Sequence, residues 1–142
     1  MTKFSMKNRR GQSIVETLLA VSVAVIIIGA LVNLAVIAVK ESRSARDRIK
    51  AEKMAVEGIE AVRSIRDAGW TPIGVATSGP HYALSWSGDS WSISQNNDCE
   101  VTGIFKRCVD FANFGTGKRV VVNVFFGAPK PITLQTVLTD WQ

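Results

Sequence analysis

Hydrophobic and polar positions divide this chain into three stretches with different rhythms. The first eleven residues are polar and basic, with Lys3, Lys7, Arg9 and Arg10 and no acid. From Thr17 to Val39 no residue is charged, and only Thr17, Ser22 and Asn33 are markedly polar. As a helix this run measures about 34 Å, enough to span a bilayer with some tilt. From Lys40 to Ala68 there is no proline and one glycine, Gly58. There Ala45, Ile49, Val56, Ile59 and Val62 recur at three-, four- and seven-residue steps and mark an apolar stripe. Arg48–Glu52, Lys53–Glu57 and Arg63–Asp67 place opposite charges at i,i+4 on the other faces. Gly69 and Pro72 then close the helix. The pattern predicts one helix from Gln12 to Asp67, about 84 Å long, with a membrane-spanning first half and an amphipathic second half.

Beyond Trp70 the helical period disappears and Gly, Ser, Asn and β-branched residues take over. Tyr82–Trp86 and Trp91–Ser94 alternate apolar and polar residues around Ser87-Gly88-Asp89-Ser90, which predicts a hairpin with a four-residue loop. Gln95-Asn96-Asn97-Asp98 reads as a surface turn. Ile104–Phe111, Arg119–Phe126 and Ile132–Leu138 are further strands, separated by Asn113-Phe114-Gly115-Thr116-Gly117 and by Gly127-Ala128-Pro129-Lys130-Pro131. Four or five short strands need a partner layer. An antiparallel sheet laid on the amphipathic half of the helix buries both apolar surfaces. The fold class is therefore α+β, in three parts: a leader over 1–11, a long helix over 12–69 with 17–39 in the membrane, and a β-rich head over 70–142.

Charge changes this picture little. The leader carries four bases, residues 12–69 eight bases and seven acids, and residues 70–142 five of each. The net charge of +5 thus sits mostly in the leader, and no basic cluster recommends nucleic-acid binding. An ordinary secretory signal has an apolar core of about 7–15 residues and a small-residue cleavage site. This run is longer, and Lys40-Glu41-Ser42-Arg43 comes after it. Bases ahead of the run favour a cytoplasmic N-terminus and an extracytoplasmic head. A plain signal anchor satisfies these features too.

Glu16 separates the two readings. It is the lone charge at the head of the apolar stretch, where an acid costs roughly 2.5–3.5 kcal/mol at a membrane centre. The basic leader ending in Gly11, the new start at Gln12 and Glu16 four residues on resemble the N-terminal segment of the type IV pilin and pseudopilin family. That resemblance covers about a fifth of the chain. It implies cleavage after Gly11 by a prepilin peptidase that also methylates Gln12. It also implies a pilin-like fold and assembly with other pilin or pseudopilin subunits on a platform in the inner or cytoplasmic membrane. Carried onto these residues, the carboxylate of Glu16 meets the terminal ammonium of Gln12 in a neighbouring subunit and selects the register. The alternative is a carboxylate satisfied by its own N-terminus or by the interface.

Two departures accompany the resemblance. The mature chain would start with glutamine where many members have phenylalanine, and the proline often found midway along the apolar helix is absent. Gly29 and Asn33 are the weakest helix formers there, so any unwinding on extraction begins between them. The stretch Ala55–Asp67 with Trp70 after it, and the ending Leu134–Trp141, are similar to the minor-pilin branch. Ala55–Asp67 reads equally as a subunit interface and as a solvated face with local ion pairs.

The two cysteines, Cys99 and Cys108, lie on the head. Exported to an oxidising space they would close a small loop; two free buried thiols are the other possibility. A metal site is disfavoured, since His81 is the sole histidine and two thiols leave a zinc tetrahedron half empty. No nucleophile signature, phosphate-cradling glycine motif or calcium loop is present, and the tryptophans (Trp70, Trp86, Trp91 and Trp141) read as packing rather than as a ligand platform. The expectation is a non-enzymatic, cofactor-free filament subunit, membrane-inserted before assembly and at the cell surface afterwards. A type II secretion pseudopilin and a signal-anchored binding module that never polymerises are the alternatives.

Overall fold

The computed structural model describes residues 10–95 and 98–140, with Arg10, Gly11, Gln12 and Ser13 described by their backbone alone. Of the positions named from the sequence, Lys3, Lys7, Arg9, Asn96, Asn97 and Trp141 lie outside the described residues. The chain divides into two compact units, Met1–Arg43 and Ser44–Gln142.

Helix α1 runs Arg10–Ala68 for 59 residues, slightly longer at each end than the expected Gln12–Asp67, and passes through Gly29 and Asn33 without interruption. In the first unit none of its described side chains is buried. Every side chain described from Ile14 to Arg43 is exposed, and the helix is long and apolar enough to cross a membrane. Its hydroxyls are satisfied internally: Thr17 donates to the Ile14 carbonyl at 2.9 Å, and Ser22 to those of Leu18 and Leu19 at 2.7 and 2.9 Å. Such back-bonding leaves no hydroxyl needing water on the apolar surface.

In the second unit the remainder of α1 lies on a meander. Strands β3 (Glu100–Thr102), β4 (Phe105–Phe114), β5 (Gly117–Phe125) and β6 (Ile132–Leu138) form an antiparallel sheet in chain order. A separate hairpin, β1 (Ala83–Trp86) with β2 (Trp91–Ser94), reaches the same sheet through a single bridge between Tyr82 and Val109. The hairpin loop is the four residues expected, closed by Ser87 N–H donating to the Ser90 carbonyl at 3.1 Å. Alternation fixes the inner face. Phe105, Val109 and Phe111 of β4 and Val120, Val122 and Val124 of β5 are buried, as are Tyr82, Leu84 and Leu138.

The helix face that covers this sheet shares only Ile59 and Val62 with the expected stripe. Ala51, Ala55, Gly58, Ile59, Ala61, Val62 and Ile65 are buried, whereas Ala45, Ile49 and Val56 are exposed. Small residues win because the helix comes close: a Cβ on Gly58 would lie 2.9 Å from Val122 Cγ1 and 3.3 Å from Arg107 Cδ. Of the expected helical ion pairs, Arg48–Glu52 forms at 3.1 Å. Arg63 turns instead to Glu60 at 2.7 Å, Asp67 is taken by Arg66 at 2.8 Å, and Glu57 faces Arg107 at 3.6 Å.

Three local expectations change. A one-turn helix α2, Thr71–Gly74, comes after α1, because a proline near a helix start forfeits only an N–H that has no intrahelical partner there. Strand β3 adds a sixth strand where none was expected. Ile104 belongs to the β3–β4 turn and not to a strand: Gly103, at φ +63°, allows Thr102 to pair with Phe105 across two residues.

Candidate functional site

The chemistry foreseen for this chain lies at the start of α1. Gly11 and Gln12 are consecutive helical residues, and Glu16 stands four residues after Gln12, about one turn along. The Glu16 side chain is exposed, and among the described residues no ion pair reaches it. Beyond that carboxylate, from Thr17 to Val39, the helix offers apolar side chains around its whole circumference. A helix apolar on all sides is stable only when lipid or other protein surrounds it.

On the second unit the foreseen cysteine pair is joined. Cys99 and Cys108 form a disulfide with Cα atoms 4.6 Å apart, continuing the β3–β4 register one step beyond the Glu100–Arg107 pair. That spacing is the one expected of directly opposed residues in a non-hydrogen-bonded antiparallel pair. The bridge ties the three-residue strand β3 to the long strand β4 at the strand's start, where its own ladder ends.

Beside the bridge lies a group that reading the sequence alone misses. Arg107 occupies an inward position between Phe105 and Val109 and is buried with them. Its Nε donates to Glu100 Oε2 at 2.9 Å, Nη2 donates to the same oxygen, and Nη1 donates to the Met54 carbonyl of α1 at 3.1 Å. The Trp91 ring lies 5.8 Å from the guanidinium carbon. One cation therefore joins β4 to β3, to α1 and to the β1–β2 hairpin. A signal was there to be read: alternation in Phe105–Phe111 puts Arg107 on the apolar face, and an inward arginine needs a carboxylate.

The outer face of the sheet carries a polar row. His81 Nδ1 meets Asp110 Oδ1, Asn123 Nδ2 donates to Asp110 Oδ2 at 3.0 Å, and Thr133 Oγ1 donates to Asn123 Oδ1 at 2.7 Å. The row crosses β4, β5 and β6 and fixes the imidazole against the sheet. Trp70 and Trp91 are half-buried against the core, while Trp86 is exposed beside Trp91 at a ring separation of 5.3 Å. Among the described residues, no three His, Cys, Asp or Glu side chains gather as a metal ligand set. Comparison of the chain with known families, curated proteins and solved structures finds no match.

Proposed function

We propose that this chain is a non-enzymatic structural subunit, a minor pilin, of a type IV pilus or related pseudopilus. The observation that carries the reading is the lone exposed carboxylate of Glu16, one turn past the Gly11–Gln12 junction at the head of an unpartnered apolar helix. A prepilin peptidase removes residues 1–11 at the cytoplasmic face and methylates Gln12. The helix holds the subunit in the membrane until it is drawn into a filament, where neighbouring helices replace lipid around it.

Two further features support this. The order of elements, a long N-terminal helix and then small antiparallel sheets, is that of a pilin-like subunit. The disulfide suits a head that matures in an oxidising, extracytoplasmic space. Within the filament the Glu16 carboxylate pairs with the terminal ammonium of a neighbour's Gln12, in surroundings where neither charge is stable alone.

The test is Glu16→Ala, with membrane fractionation and filament purification. The variant inserts at least as well as the parent, since removing the charge eases insertion, and it fails to enter filaments. Incorporation at the parental level would remove the assembly role from Glu16.

A further inference from the structure

The end of the second unit where α1 enters it carries a groove of about 400 Å³, lined by Ser44, Arg48, Phe126, Pro129, Lys130 and Pro131 among others. Its position is set by the register. Phe125 pairs with Lys106 near the start of β4, so the loop after β5 continues past that end and meets the first turns of α1 in this unit. The groove's floor is apolar, a half-buried aromatic ring and two proline rings, and its rim holds two cations. Glu52 engages Arg48 through Nε at 3.1 Å. The guanidinium has other N–H groups, and the arginine side chain is 68 % exposed.

The same end of the unit carries more apolar tips. Tyr82 bridges antiparallel to Val109, so β1 runs back toward Phe105 and brings Trp86 there, 55 % exposed. Ile104, in the turn ahead of Phe105, is 63 % exposed. Lys50 lies over the Phe105 ring at 5.0 Å, and Lys106 is exposed beside it. Asp47, Glu52 and Asp89 are the acids at this end, against the bases Arg46, Arg48, Lys50, Lys106 and Lys130. Exposed Trp and aliphatic tips set among an excess of cations make a composition suited to an anionic bilayer surface.

Chain connectivity names the occupant. Ser44 lies five residues after Val39, the last residue of the uncharged run, and those five residues reach at most about 18 Å even when fully extended. If α1 spans a bilayer, as a pilin subunit's helix would before assembly, the groove stays close to the headgroups whatever angle the head adopts. We infer that this groove binds the headgroup of an anionic phospholipid, with the phosphate held by Arg48 and Lys130 and the glycerol region against Phe126 and Pro129. The contact seats the head on the membrane before the subunit is withdrawn into a filament.

Amide hydrogen exchange of the full chain in nanodiscs tests this, with phosphatidylcholine alone compared with an equimolar mixture of phosphatidylcholine and phosphatidylglycerol. Exchange over 126–130 slows about tenfold in the anionic discs, and the Arg48→Gln, Lys130→Gln double variant loses that protection. Equal exchange in the two lipids, or protection that survives the double variant, overturns the inference. Protection that arises only when two chains share a disc would make the occupant a second copy and overturn it equally. A chain that does not copurify with the discs at all would instead remove the membrane-spanning reading, and this site with it.

Discussion

Arg107 and Glu100 face each other across β4 and β3, and they are unequal partners: the arginine side chain is 2 % exposed and the glutamate side chain 29 %. Removing either one therefore has a different consequence. Glu100→Ala leaves a buried guanidinium with the Met54 carbonyl, the Trp91 ring and the more distant Glu57, none of which replaces the paired carboxylate, and is expected to cost about 3 kcal/mol. Arg107→Met leaves a carboxylate that reaches water, in a site already lined by apolar groups. Chemical denaturation of the full chain in detergent should rank Glu100→Ala as clearly the more damaging. The reverse order would mean that the pair is not the junction between helix and sheet.

The disulfide acts on the same junction. Closing a loop with Cys99 and Cys108 at its ends stabilises the head by about 2–3 kcal/mol in the chain-entropy model. Because β3 carries Glu100, freeing β3 also loosens the carboxylate from Arg107. Glu100→Ala is thus expected to cost less in the Cys99→Ala, Cys108→Ala background than in the bridged protein. Strict additivity in a double-mutant cycle would separate the two features.

Gly58 tests how closely α1 approaches the sheet. Alanine is the better helix former by about 1 kcal/mol, but its methyl group meets Val122 Cγ1, and overpacking costs roughly 1–3 kcal/mol. Gly58→Ala alone is expected to destabilise. Combined with Val122→Ala it should recover, with a coupling of at least about 0.5 kcal/mol. A stabilised single variant would place the helix farther from β5.

Gly115, in the β4–β5 turn, and Gly117, the first residue of β5, differ in what a methyl group would meet. Gly115 has φ +59°, so Gly115→Ala carries a left-handed penalty of about 1–2 kcal/mol with open space around the methyl group. Gly117→Ala drives its Cβ into the Leu138 carbonyl oxygen, a backbone atom that cannot rotate away without disturbing the β5–β6 ladder. Melting temperatures should fall further for Gly117→Ala than for Gly115→Ala.

Elements with a long, regular pattern are legible in the sequence, and those decided by a single contact are not. The uncharged run and the proline-free stretch after it announce α1 to within a residue or two. Val120, Val122 and Val124 announce β5. The buried stripe is legible at Ile59 and Val62 and misjudged at Ile49 and Val56, which apolar periodicity weights. A helix lying close to a sheet selects Ala51, Ala55 and Gly58, which such a pattern hardly registers. Strand β3 is three residues without alternation and owes its place to the partner strand and the disulfide. Arg107 escapes notice because a charge in a strand suggests a solvated face unless its register is counted. For the segment proposed to direct assembly, Gly11, Gln12 and Glu16 stand out by residue type and spacing, and their proposed partners are other chains.

Whether the leader is removed is decided by the intact mass of the protein purified from its own host's membranes. Cleavage after Gly11 gives a chain that begins at Gln12, lighter by residues 1–11, with or without one added methyl group. A chain that still carries the leader from Met1 would contradict it, and the role given to Glu16 would fall with the cleavage.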